Sequence, residues 1–386
     1  MKVLFIHQFL WAHYKAKHFS DLYAISQKTK EFEFYVVQIS RTEATRINIG
    51  AINANDHQYK YDLLYDDYLE NTPFWGKATK LLQKVRAFKA DVVVLPGYFD
   101  PATWVIYLYC KIMGIKTLMF MDSGETDNIK VWYKEIIKKI VIKMADGFLS
   151  IGPATTQYLL KLGARPEQIL MSRNALDNNE IRRQYDLSLI DREARKENLQ
   201  LPKYNFIFVG RLVDVKNLFI MLEAYDLAIK KNAQGSDWGF ILVGDGPLEE
   251  ELKTFVQEKD IQNTNFLPPC EWIEVPWNIS LGDVMVLASY SEAWGFVVNE
   301  ALICNKPVLV SNHCGCAGSL VKEGKNGYTF SPYYTNELAD KMTLMMNNVD
   351  KFEAMGKKGR EIIKDFSPEK VAAETVAAFK KVYKGY

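Results

Sequence analysis

The sequence predicts an α/β protein made of two doubly wound, Rossmann-like domains, and three observations carry that prediction. The chain has 386 residues, more than one hydrophobic core usually supports. Apolar runs of strand length alternate with segments of helical period, the pattern of a parallel sheet flanked by helices. The alternation halts in a charged stretch near the middle and then starts again.

In the first half, Val3 to Ile6, Phe34 to Ile39, Asp91 to Leu95, Lys116 to Met121 and Gly147 to Ile151 read as buried strands. Helical patterns at Lys17 to Lys28, Lys77 to Lys89, Ala102 to Met113, Val131 to Met144 and Ala154 to Leu162 separate and follow them. Asp177 to Gln200 is polar, carries Arg182-Arg183 and Arg195-Lys196-Glu197, and reads as the linker. The pattern resumes with strands at Phe206 to Val209, Phe240 to Val243, Val284 to Leu287 and Pro307 to Val310, with helices from Leu218 and Leu248. Ser367-Pro368 has the composition of an N-cap and first helical position, so a terminal helix starts there. The expected domains are 1–190, 191–366 and a returning C-terminal helix, 367–386.

Composition narrows the function. Lys and Arg number 48 against 47 Asp and Glu, a net charge of +1, which argues against a nucleic-acid binder working through a global positive field. No apolar run reaches the roughly 18 residues of a membrane span, and polar His7 and Gln8 follow Met1 to Ile6 too early for a signal peptide, so a cytoplasmic location is expected. Five cysteines scattered over this length suit reduced thiols rather than a disulfide framework. His313, Cys314 and Cys316 have no partner cluster and read as a loop rather than a metal site.

Open α/β sheets bind ligands outside the carboxyl ends of their strands, which directs attention to three loops of the second half. The first, Gly210-Arg211-Leu212-Val213-Asp214-Val215-Lys216-Asn217, brings two cations beside a helix start, where a diphosphate is well received. The second, Gly244-Asp245-Gly246-Pro247, would need its third dinucleotide-fingerprint glycine at Glu249, so a tight turn is the simpler account. The third, Ser289 to Ala301, carries Glu292 at a strand end and Glu300 eight residues later on a helix, with Gly295 and the amides of Phe296 and Val297 between them.

The order R-x4-K, G-D-G-P, E-x7-E, Lys306-Pro307-Val308 and Gly324-Lys325-Asn326-Gly327 resembles the retaining glycosyltransferases of family 4. The segments Lys143 to Gly152 and Arg173-Asn174-Ala175-Leu176-Asp177 extend the resemblance more weakly backwards. It implies the GT-B fold, with two Rossmann-like domains facing across a cleft, the second for the nucleotide sugar and the first for the acceptor. It further implies that Arg211 and Lys216 hold the leaving diphosphate, that Glu292 meets the donor sugar, that the amides near Phe296 and Val297 bind sugar or phosphate, and that Glu300 grips the ribose. Gly210, Gly244 and Gly295 line the same donor site, and the base lies against Leu267 to Trp272, where Trp272 can stack. Pro268 and Pro269 replace a glycine expected there.

The first half departs from that family. The usual Gly-Gly pair after the first strand is replaced by Phe9-Leu10-Trp11-Ala12-His13-Tyr14, and Asp122 stands where a histidine is common. Asp122 is read as either a sugar-hydroxyl acceptor or a loop cap. The segment Lys130 to Lys143 places lysines on one side of a helix and Ile and Val on the other, which suits either membrane docking or a surface helix whose apolar face packs on its own domain.

The expectation is therefore a retaining transferase of a hexose-type sugar from a nucleotide diphosphate donor, UDP ahead of GDP. A glycan or lipid-linked acceptor is expected, in polysaccharide or glycoconjugate synthesis. No cofactor or metal is expected, since no Asp-x-Asp occurs anywhere. Peripheral membrane association at the inner face is an open possibility, and nucleic acid is not a partner. The alternatives are a non-catalytic nucleotide-sugar-binding partner subunit and a nucleotide-sugar epimerase of the same fold. A Rossmann oxidoreductase is disfavoured by the missing glycine.

Overall fold

The computed structural model describes residues 1–44, 56–122, 132–232 and 235–385, with only the backbone of His13, Tyr133 and Lys134. The chain divides into two compact units, Met1–Leu176 with Phe366–Tyr386, and Asp177–Asp365.

In the first unit seven strands are described: β1 (Lys2–Phe9), β2 (Glu33–Ser40), β3 (Tyr61–Leu63), β4 (Val92–Pro96), β5 (Lys116–Met121), β6 (Gly147–Ser150) and β7 (Ile169–Ser172). They form one sheet in the order β3-β2-β1-β4-β5-β6-β7, every pairing parallel. Val3 to Ile6 and all of β4 are buried, as expected of strands covered on both faces, which read as continuous apolar runs. The intervening helices carry their own stop signals. In the helix Pro101–Met113, Asp100 accepts from the Ala102 amide at 3.0 Å, Pro101 sits at the first position, and Gly114 ends it at φ +69°.

The last helix, Pro368–Lys384, starts where Ser367 caps the Lys370 amide. It returns to the first unit, where Phe379 is fully buried and its ring lies 5.9 Å from Phe32 and 6.4 Å from Phe34.

The second unit repeats the design with β8 (Tyr204–Val209), β9 (Trp238–Val243), β10 (Thr264–Leu267), β11 (Val284–Leu287), β12 (Val308–Ser311) and β13 (Gly327–Phe330). The order is β10-β9-β8-β11-β12-β13, again all parallel.

The stretch expected to be a linker is not one. Residues Asn178–Ser188 and Arg192–Asn198 are helices of the second unit, so the division falls after Leu176 rather than at 190. Two of its arginines bind it to the rest of the second unit. Arg192 donates to the Ser280 carbonyl at 2.6 Å and pairs with Asp283 at 3.1 Å, and Arg195 donates to the Trp277 and Ser188 carbonyls at 3.0 and 2.6 Å. Ser280 and Trp277 belong to the helix Val275–Leu281, so these guanidinium groups tie the stretch to the C-terminal part of that helix, where carbonyls run short of intrahelical amide donors. Composition alone does not separate such a stretch from a solvated linker.

Candidate functional site

In the second sheet the chain runs from β8 outward to β9 and β10, then crosses back to β11 on the other side of β8. The loops leaving β8 and β11 therefore diverge, and the crevice at such a switch point is where doubly wound sheets take ligands. The Tyr290 amide donates to the Val215 carbonyl at 2.9 Å, tying the two loops together. Asn217 (φ +60°) clips them further, its side-chain amide donating to the Ala288 carbonyl at 3.2 Å and the Pro332 carbonyl at 2.7 Å.

Between the tethered loops, Lys216 Nζ forms an ion pair with Glu292 Oε2. The two side chains retain only 16% and 23% of their accessible surface, so solvent screens this pair less than an ordinary surface bridge. Ser289 Oγ lies 3.5 Å from the same carboxylate oxygen. Arg211, one turn of loop earlier, is exposed, and its guanidinium has no ion pair among the described residues.

The Gly-Asp-Gly-Pro turn after β9 supports this arrangement from beneath. A Cβ on Gly244 (φ +136°) would stand 2.1 Å from the Gly210 carbonyl oxygen, and one on Gly246 (φ +156°) 2.3 Å from that of Leu212. The Leu212 amide donates to the Asp245 carbonyl at 2.6 Å, and Leu248 donates back to Leu212 at 3.2 Å. The glycines thus let one backbone lie flat on the loop that carries Arg211, a packing reason for a motif that resembles a dinucleotide fingerprint without being one.

Gly295 (φ +99°) turns the third loop into the helix Phe296–Ile303. A Cβ there would meet Leu287 Cδ2 at 3.0 Å and Cys316 Sγ at 3.3 Å. The helix start leaves amides without carbonyls a turn earlier to bond, and its dipole favours an anion. The preceding segment is held like an extra strand: Gly315 donates to the Glu292 carbonyl at 2.8 Å and Cys316 to that of Trp294 at 3.0 Å. Buried Trp294 Nε1 donates to buried Asn299 Oδ1 at 2.8 Å, which fixes the segment to its helix.

Glu300 lies further along that helix. Part of its surface stays accessible, yet packing around it pushes its carboxyl up to about 8 through desolvation. Such a group gains most from a ligand that donates hydrogen bonds to its charged form.

Beyond β10, a hollow of about 810 Å³ is lined by Leu267, Pro268, Pro269, Cys270, Ile273 and Trp277, among others. Trp272 occupies the adjacent 3-10 turn, Trp272–Glu274, outside that lining. His313 Nδ1 lies 3.0 Å from the Tyr290 carbonyl oxygen, while burial raises the thiols of Cys314 and Cys316 above their ordinary range.

In the first unit, Asp122 directly follows β5 and is exposed. Its charge opposes, but does not outweigh, the burial that lowers the Lys15 ammonium to about 7. Lys15 Nζ lies 3.9 Å above the Phe120 ring. Ser123 to Glu125, expected to belong with Asp122, lie outside the described residues. Sequence reasoning passed over Asn217, Gly315 and Lys15. Asn217, directly before a helix, carried a readable signal, whereas Gly315 and Lys15 acquire their roles from segments distant in the chain.

Residues 190–362 match the family model "Glycosyl transferases group 1". An uncharacterized glycosyltransferase of Methanocaldococcus jannaschii is 31% identical over 181 residues, 47% of this chain and 48% of that protein. The alpha-D-kanosaminyltransferase of Streptomyces kanamyceticus is 29% identical over 175 residues, 43% of each. The chain thus spans about half the length of the curated relatives it matches. Anabaena HepE, solved in complex with UDP, superposes with a TM-score of 0.76 at 17% identity, covering 98% of this chain and 100% of that one. Its likeness extends over both units and identifies their common architecture as GT-B. Residues 190–362 are therefore similar to the group 1 glycosyl transferases, within a chain of two Rossmann-like units of the GT-B fold.

Proposed function

We propose that the chain is a metal-independent, retaining hexosyltransferase that moves a sugar from a UDP-sugar to a glycan or lipid-linked acceptor in polysaccharide or glycoconjugate synthesis, at the cytoplasmic face of a membrane. The observation that carries the proposal is the meeting of Lys216, Glu292 and the start of the helix Phe296–Ile303 at the switch point of the second sheet, with Arg211 on the same β8 loop. Relatives point the same way: HepE was solved with UDP, and the kanosaminyltransferase is named for sugar transfer.

In this reading the diphosphate lies between the Arg211 guanidinium, the Lys216 ammonium and the helix-start amides near Phe296 and Val297. An ammonium has three donors, so Lys216 can keep its bond to Glu292 while offering the others to phosphate oxygens. As the bond from the anomeric carbon to the diphosphate oxygen breaks, the electron pair leaves with the diphosphate. Fixed positive charge then stabilises the developing anion without reorganising. Glu292, held by Lys216 and by the segment around Gly315, faces the sugar, and Glu300 takes the ribose hydroxyls. The hollow beside Leu267 to Cys270 receives the base. The acceptor oxygen attacks the face the diphosphate vacates and gives its proton to a phosphate oxygen, so the anomeric configuration is kept.

A proton NMR spectrum of product formed from UDP-glucose in excess chelator tests this reading. Product with the donor's anomeric coupling constant is expected, whereas an inverted coupling or a strict need for added metal overturns it.

A further inference from the structure

The helices Pro101–Met113 and Trp132–Ile142 link β4 to β5 and β5 to β6, which are neighbours in one parallel sheet. Successive right-handed crossovers put both helices on the same face, and Ile106, Tyr107 and Cys110 of one share a core cluster with Val141 and Ile142 of the other. Their outward surfaces are unusual. Trp132, Ile136 and Ile140, spaced four residues apart, are 76%, 51% and 57% exposed, and Leu108, Ile112 and Met113 are 54%, 74% and 58% exposed. Three large apolar side chains exposed on each of two helices that share one buried core exceed the single scattered groups found on any protein and mark an interaction surface.

Charge identifies the partner. Exposed Lys111, Lys139 and Lys143 lie among these apolar groups. Across both helices and Lys143 the sequence holds one acidic residue, Glu135, and it is engaged by Lys138 at 2.7 Å. Lys138 itself is buried, its ammonium also donating to the Tyr158 hydroxyl at 2.9 Å, so it belongs to the unit's interior and not to this surface. The basic helix thus does not bury its whole apolar side, since one apolar stripe faces outward with cations beside it. Apolar groups beside lysines, with no unpaired acid on either helix, suit the headgroup region of an anionic bilayer, where the apolar groups enter the acyl boundary and the ammonium groups meet lipid phosphates.

We propose that this two-helix face docks the protein on an anionic membrane surface. The inference rests on the proposed function only for its purpose, delivery to a lipid-linked acceptor. Docking itself needs neither donor nor acceptor, so it is measured without them and stands or falls separately from the transferase reading.

The test is co-sedimentation of the full chain with phosphatidylcholine vesicles containing or lacking phosphatidylglycerol, at low and high salt. The wild-type protein is expected to sediment with the anionic vesicles at low salt and to be released when ionic strength is raised. The pair Ile136→Ser/Ile140→Ser, and separately Lys139→Glu/Lys143→Glu, should each cut the bound fraction at least about tenfold. Thermal melts should match wild type, because all four side chains are exposed. Failure of wild-type protein to bind anionic vesicles overturns the proposal, as does unchanged binding by both variants. A concentration-dependent dimer in sedimentation velocity that the Ile136→Ser/Ile140→Ser pair abolishes, with vesicle binding intact, would instead make this face a contact between copies of the chain.

Discussion

Glu300 provides the sharpest quantitative consequence of the proposed donor site. Desolvation holds its carboxyl at about 8 in the free protein, so at neutral pH the group is mostly protonated. If the ribose hydroxyls donate to it, the complex contains the carboxylate and binding releases a proton. Affinity then improves as pH rises toward 8. With a free-state value of about 8 and an ordinary carboxylate value in the complex, UDP-glucose should bind about 25-fold more tightly at pH 8.5 than at pH 6.5, a difference of about 1.9 kcal/mol. The window avoids complication from the ligand, whose substituted diphosphate has no second ionisation there. Isothermal titration calorimetry in two buffers of different ionisation enthalpy measures both the affinity and the protons released. Glu300→Gln should bind more weakly at high pH and lose the dependence. A wild-type dissociation constant constant within twofold across the window, or a slope that persists in Glu300→Gln, would refute the assignment of this carboxylate to the ribose.

Other outcomes follow from the same geometry. Arg211→Ala and Lys216→Ala should each lower kcat/KM by the equivalent of about 2 to 4 kcal/mol with the fold intact, measured by steady-state kinetics and circular dichroism. Glu292→Gln should reduce turnover more than donor binding, the reverse of Glu300→Ala. Gly244→Ala, whose Cβ meets the Gly210 carbonyl oxygen at 2.1 Å in a left-handed conformation, should destabilise the protein by about 2 to 4 kcal/mol in urea unfolding. Burial lowers His7 to about 4 and His18 to about 3. The unfolded chain therefore binds more protons than the native one below the ordinary value of 6.5, and these groups contribute stability above it that is lost as pH falls toward 4. His18→Leu should narrow the difference in melting temperature between pH 7.5 and pH 4.5.

Much of this arrangement was legible because parallel sheets force local and global signals to agree. Strands covered on both faces must be apolar throughout, so β1, β4, β9 and β11 stood out as runs such as Val92 to Leu95. Short edge strands did not: β3 (Tyr61–Leu63) is only partly buried, and β10 (Thr264–Leu267) begins with polar Thr264 and Asn265. The boundary at Leu176 was obscured because Arg192 and Arg195 serve distant carbonyls, a role invisible in composition. The placement of Arg211, Lys216 and Glu292 on the loops after β8 and β11, and of Glu300 on the helix that follows, was readable from the strand and helix pattern. That Lys216 is already paired with Glu292, and that Gly244 and Gly246 support backbone on backbone, depends on register between segments far apart in sequence. The outward direction of Trp132, Ile136 and Ile140 was likewise hidden, since helical periodicity shows that a helix has two faces without stating which one is covered.

In the proposed reaction fixed cations of the second unit, rather than a metal, receive the donor diphosphate. The most direct test is the dissociation constant of UDP-glucose in excess chelator, compared between wild type and the Arg211→Ala/Lys216→Ala double variant. The account predicts binding by wild type without metal and a loss on the order of a hundredfold in the variant. Wild-type binding that appears only when a divalent cation is restored, or a double variant that binds as tightly as wild type, would contradict it.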